Sequence, residues 1–318
     1  MSRKQYGGMA LIEGVMMRGE DSIAMAVRKA DGEIVLQKEK ISSAADKYPF
    51  LKWPFIRGVV SLISSLIIGY QAITFSASLF EEEEETGEGV SPNHADGTPG
   101  DVVDGEEEKE GKSAELTPLE LAGILIMAFG AAVLLFIVLP ASIISLLQKF
   151  IRSNIILNLI EGIIKIITFL VYVLLISRME EIKRVFMYHG AEHKTIFTYE
   201  AGLPLTVENA RKFSTLHPRC GTNFMFLVIL ISIFFFSFLG RPPFLLRILY
   251  HILLLPLIAG TSYEVLKLAA KDRVNPIIKV LALPGLYLQK ITTKEPDDEM
   301  LEVAITALKA VLPEGEVK

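Results

Sequence analysis

Four apolar blocks decide what this chain can fold into. They run Leu116–Pro140, Asn154–Ile176, Phe224–Leu239 and Phe244–Thr261. A helix rising 1.5 Å per residue needs about 20 apolar residues to cross a bilayer. The blocks reach or approach that length, so the expected fold is mainly α, a polytopic membrane helical bundle. The 318-residue chain is 51% apolar, only slightly above a soluble domain, but its mean hydropathy of +0.43 is concentrated in these blocks. The third and fourth blocks are joined by Gly240, Arg241, Pro242 and Pro243, a tight turn that predicts a helical hairpin.

Charge sets the expected orientation. The 178–223 connection carries seven basic residues, whereas the two opposite connections carry two each, Lys149 with Arg152 and Arg241 with Arg247. By the positive-inside bias the 178–223 connection is cytoplasmic, and four spans leave both termini on that side, as in a multi-pass membrane protein. Segment 55–80 is helical and apolar, with Gly58, Ser61, Ser65, Gly69, Ala72 and Ser76 along one stripe. As a fifth span it would place a basic N-terminal segment outside, so it is expected to be interfacial or partly inserted.

Residues 1–54 form a cytoplasmic β unit in this reading. Ile23–Val27 and Ile34–Leu36 flank Asp31-Gly32, a strong hairpin signal. A lone hairpin is marginal in water, so it must pack on another element, here the C-terminal segment 264–318. Residues 81–115 hold fourteen acidic residues against two lysines and read as a disordered acidic linker. The remaining intervals are 116–177 for the first two spans, 178–223 for the cytoplasmic segment and 224–263 for the helical hairpin. Asp297–Val311 predicts an amphipathic helix with an acidic first turn. The N-terminus shows no signal-peptide pattern, and the single cysteine, Cys220, excludes an intramolecular disulfide. No basic stripe with interleaved aromatics supports nucleic-acid binding.

The chemistry-bearing residues lie in the cytoplasmic segment. His189-Gly190-Ala191-Glu192-His193 is an H-x-x-E-H string on a helix expected to continue from the second span. On a helix the two imidazoles fall one turn apart on one face, a spacing for a shared metal ion, with Glu192 adjacent as a general base. His217-Pro218-Arg219-Cys220 follows before the third span, so three of five histidines and the only cysteine fall within 32 residues. His217 with Cys220, or Glu264 at the end of the fourth span, can complete the set. Such N and S donors favour Zn²⁺ over Mg²⁺ or Ca²⁺. The alternatives are histidines bonded to headgroups or carbonyls, a plain buried Cys220, and Glu264 paired with Lys267 or Arg211. Within the spans, Glu161 and Lys165 lie one turn apart, as do Arg247 and His251, and matched depths predict a Glu161–Arg247/His251 pairing or an ion or proton path.

These strings resemble the YqhQ-like family, bacterial membrane proteins of unknown function classed by analogy as metal-dependent enzymes. The resemblance is carried by Gly7–Gly19, Pro54–Gly58, Tyr188–Lys194, His217–Thr222, Ser262–Glu264, Pro284-Gly285 and Thr292–Pro296, and it spans nearly the whole chain outside the acidic linker. Glu13 and Arg18 in the first string either line the cytoplasmic site or form a turn charge pair. The leading expectation is a metal-dependent hydrolase acting on a membrane-associated substrate. A non-enzymatic assembly factor or adaptor with a structural metal is the alternative, and an ion or metal transporter the third.

Overall fold

The computed structural model describes residues 6–41, 48–87, 118–218, 220–240, 242–269 and 276–313. The expected acidic linker lies largely outside these residues. The N-terminal unit is an antiparallel meander rather than a single hairpin: β1 Gly7–Leu11, β2 Gly14–Arg18, β3 Ser22–Arg28 and β4 Ile34–Lys40, in the order β1-β2-β3-β4. The β3–β4 turn uses Asp31-Gly32 with Gly32 at φ 89°, as expected. The β1–β2 turn is built on Ile12 and Glu13, with Glu13 at φ 50°, a left-handed conformation unusual for Glu. No turn residue announces it.

Side-chain alternation explains how the sheet is held. Val15, Met17, Ala24 and Ala26 are buried on one face, and Met16, Ile23, Met25 and Val27 on the other. A sheet that is apolar on both faces needs two covers. One cover is α10 (Asp298–Val311), together with α5 (Glu180–Ala201), both packed into the first core. Asp297 caps α10 by accepting from Met300 N at 2.8 Å, and the acidic first turn complements the helix dipole.

The other cover is α1 (Ile56–Gly87). Its Ile68 and Ala72 are buried against Leu11, Met16 and Met25, and the Ser76 hydroxyl donates to Ile12 O at 2.9 Å. The start of α1 is tied to α8 (Phe244–Ala269), where Arg57 Nε donates to Glu264 Oε1 at 2.7 Å. By length and composition Ile56–Phe80 is one of four described helices able to cross a membrane. Its second half nevertheless lies on the β-sheet.

The other helices of that length and composition are Gly123–Leu147, Asn154–Ile176 and Phe244–Ala269, while α7 (Gly221–Ser237) is a shorter apolar helix. The first comprises α2 (Pro118–Val133), a π-turn at Leu134–Val138 and α3 (Leu139–Leu147). The π-turn precedes Pro140, which lacks an N–H and crowds the preceding turn. α4 (Asn154–Ile176) does not run on into the histidine helix as expected: Ser177–Met179 interrupt it, with Met179 extended at ψ 133°. α6 (Val207–Ala210) is one short turn, and α9 (Pro276–Thr292) packs against α7. Inside the bundle, Glu161 of α4 accepts from Arg247 and from His251 Nε2 (3.1 Å) of α8.

Leu301 is 1% exposed on the sheet side of α10. Leu301→Ala is therefore expected to cost about 2–5 kcal/mol, against less than about 0.5 kcal/mol for the exposed Leu36→Ala. Chemical unfolding of the detergent-purified chain reads both.

Candidate metal centre

Two turns of α5 carry the donors, and other segments aim them. His189 Nδ1 donates to Thr292 O at 2.9 Å, at the end of α9. His193 Nδ1 donates to Thr215 O, in the loop before α7. A carbonyl only accepts, so each Nδ1 carries the hydrogen and each Nε2 is left with its lone pair. Both rings then converge on Cys220: His189 Nε2 lies 3.1 Å from Sγ, and donor atoms of His189, His193 and Cys220 all fall within 4.8 Å of one another. Cys220 is the N-cap of α7, where its sulfur accepts from Thr222 N at 3.4 Å.

The loops that supply these carbonyls are fixed by close backbone approach. Lys294 N donates to Phe186 O at 2.8 Å, which lays the 292–295 segment across α5. At Gly190 a Cβ would collide with the Lys294 carbonyl oxygen, so the second residue of the H-x-x-E-H string must be glycine here. Gln289 of α9 clamps the other loop, accepting from His217 N at 2.8 Å and donating to His217 O at 2.9 Å. Asn223 Nδ2 completes the clamp on Pro218 O at 2.7 Å.

Glu192 is buried beside the donors and accepts from the backbone N–H of Gly8 in β1. A Cβ on Gly8 would press within 3.1 Å of the Glu192 carboxyl carbon, so glycine also lets β1 reach the site. Burial raises the Glu192 carboxyl above its ordinary range, opposed by His189, His217 and the Gly8 amide. Burial likewise lowers the His193 imidazole, opposed by Cys220, and lowers His217, opposed by Glu192. Neutral imidazoles are the form that binds metal.

Two expected donors sit elsewhere. His217 is next to the group, its ring 5.5 Å from that of His193, but it packs at a tilt against Phe197, 4.4 Å between centroids, and turns Nε2 toward Glu200 at 3.6 Å. Glu264 is held by Arg57 rather than by Lys267 or Arg211, and it does not join the donor group. Glu13 belongs to the β1–β2 turn and is paired with Arg184 of α5, with Tyr188 Oη 3.3 Å away, so its partner is not Arg18. The residues that sequence reasoning missed, Thr215, Thr292 and Gln289, act through main-chain contacts or as clamps.

A family model described as Protein of unknown function (DUF1385) matches residues 53–314. The chain belongs to this family. It is also 36% identical over 308 residues to "Uncharacterized protein YqhQ" of Bacillus subtilis (strain 168), covering 96% of this chain and 92% of that protein. No solved structure matches the chain. The DUF1385 match takes in all of α5, the Cys220 loop and the 292–295 segment, so the three-donor group lies wholly within the family region.

The shifts carry a sign for stability in the metal-free protein. His193 and His217 titrate below the unfolded value of about 6.5, so the unfolded chain binds protons first and stability falls as pH drops below about 6.5. Glu192 has the opposite sign: its raised carboxyl stabilises the fold below the unfolded carboxylate value and loses that contribution as pH rises. Thermal melts of chelator-treated protein across this range are expected to show a shallower acid loss for His217→Asn and a steeper one for Glu192→Gln.

Proposed function

We propose that this chain is a membrane-bound, metal-dependent hydrolase whose centre lies at the bilayer surface on the cytoplasmic side. The observation that carries the reading is the gathering of donor atoms of His189, His193 and Cys220 within 4.8 Å of one another, with His189 Nε2 3.1 Å from Sγ, while both Nδ1 atoms are spent on main-chain carbonyls. That tautomer is the one a ligating imidazole needs, and two imidazoles with one thiolate suit Zn²⁺. Three protein donors also leave a fourth position for reactant, the pattern of catalytic rather than structural zinc. A divalent ion held there supplies Lewis acidity toward a carbonyl or phosphoryl oxygen.

The chain's own groups supply the rest. Glu192 sits next to His193 on α5 with its carboxylate buried, positioned to take a proton from attacking water and return it to the leaving group. Cys220 caps α7, an apolar helix, which puts the donor group at one end of the bundle and so at the level of the membrane surface in this reading. Exposed Tyr48, Phe50, Trp53 and Phe55 precede or begin α1 and suit the headgroup level at the same end of the bundle. The substrate is accordingly membrane-associated, a lipid headgroup or a protein segment at the surface.

A structural zinc is the second reading, favoured by burial, since His193 is 1% and Cys220 6% exposed. Elemental mass spectrometry of detergent-purified protein tests the first step. About one zinc per chain is expected in wild type, with loss in His193→Ala and in Cys220→Ser, and no bound metal in wild type overturns both readings. Glu192→Gln then separates them. A hydrolase keeps its metal and loses roughly 10²–10⁴-fold in turnover of membrane-ester or peptide substrates. A structural site keeps metal and cellular function alike.

A further inference from the structure

At the far end of α7 from the metal centre, the bundle encloses a second charged cluster. Cys220 and Phe236 stand about 24 Å apart at 1.5 Å per residue. Beside Phe236, Glu161 is 4% exposed, Lys165 6%, Arg247 8% and His251 4%. Glu161 is saturated: Oε1 takes Lys165 Nζ at 3.0 Å and His251 Nε2 at 3.1 Å, and Oε2 takes Arg247 Nη2. Phe236 closes one side, stacked on the His251 ring at 3.8 Å with Lys165 Nζ 4.6 Å from its centroid.

The charges do not cancel. One carboxylate faces a lysine, an arginine and a histidine whose other ring nitrogen donates to Arg247 O at 2.7 Å, and among the described residues no second carboxylate pairs with any of them. A buried charge left over is costly, most of all in a membrane-spanning segment. Glu161, Arg247, His251 and Tyr250 also line a recess together with Leu239 and Gly240 of the hairpin turn. Its base admits about one water-sized particle. The guanidinium has five N–H donors in a fixed fork, more than one carboxylate oxygen can occupy.

We propose that this recess binds a small anion through one anionic atom, a halide or one phosphate oxygen, which neutralises the positive charge that Glu161 leaves over. The phosphate oxygen can be that of free phosphate or of a lipid headgroup at this end of the bundle. The site is separate from the metal centre and does not rest on hydrolase activity.

The test uses the full chain in non-ionic detergent, exchanged into a bulky organic anion at constant ionic strength. Its Tm is followed while adding chloride, inorganic phosphate, or phosphatidylglycerol against phosphatidylcholine. A saturable rise is expected with at least one of the first three and none with phosphatidylcholine. Chloride or phosphate acting alone identifies a free ion, and phosphatidylglycerol alone identifies a lipid phosphate. Lys165→Met removes one of the positive charges around Glu161, so it is expected to fold and to weaken the response. A wild type indifferent to all three probes overturns the proposal, as does a Lys165→Met variant that responds like wild type. Should that variant not fold, counting decides: exchanged wild type dialysed to equilibrium against a saturating probe takes up about one chloride, phosphate or phosphatidylglycerol per chain, and uptake of none of the three overturns the site.

Discussion

Main-chain carbonyls from outside α5 turn its two imidazoles into a matched pair, and the rest of the candidate site depends on that aim. Thr292 O belongs to the end of α9, Thr215 O to the loop before α7, and Cys220 to the start of α7. None is near His189 or His193 in sequence, so the donor group exists only when α5, α7 and α9 are assembled. Gln289 and the Lys294–Phe186 backbone bond hold those carbonyls in place without touching the donors. Such outer partners fix tautomer and ring orientation, which decides metal affinity as much as the choice of ligand.

The sheet explains how this assembly is held together. Because both its faces are apolar, it must be clamped between α10 with α5 on one side and α1 on the other. That demand draws the second half of an apolar helix, α1, onto the β unit, while Arg57 at its start is bound to Glu264 of α8. One helix therefore links bundle and sheet. β1 gains from this a fixed position from which the Gly8 amide reaches Glu192.

Sequence reading recovered what short-range physics encodes. Asp31-Gly32 dictates its hairpin, Asp297 its cap, and the 189–193 spacing puts two imidazoles on one face of a helix. It missed what tertiary partners decide. Glu13 makes a turn that its residue type does not advertise, because Arg184 holds its carboxylate from α5. Glu264 has ligand chemistry, but Arg57, 207 residues away in sequence, binds it first. His217 and Cys220 were equal candidates by spacing. The proline between them and the Gln289 clamp on the His217 backbone leave the sulfur, not that ring, facing the other two.

The two buried glutamates show how environment divides roles among identical side chains. Glu161 is enclosed by Lys165, Arg247 and His251, three donors that saturate both its oxygens. A carboxylate so held serves as a counter-ion. Glu192 meets no lysine or arginine among the interactions that govern its proton affinity, only two imidazoles and one amide, against the full cost of burial. Removing water while withholding a permanent cation is how a fold raises a carboxyl's hold on its proton above the ordinary range. Of the two, Glu192 is thus the one suited to proton transfer, and it is also the one that adjoins the converging nitrogen and sulfur donors.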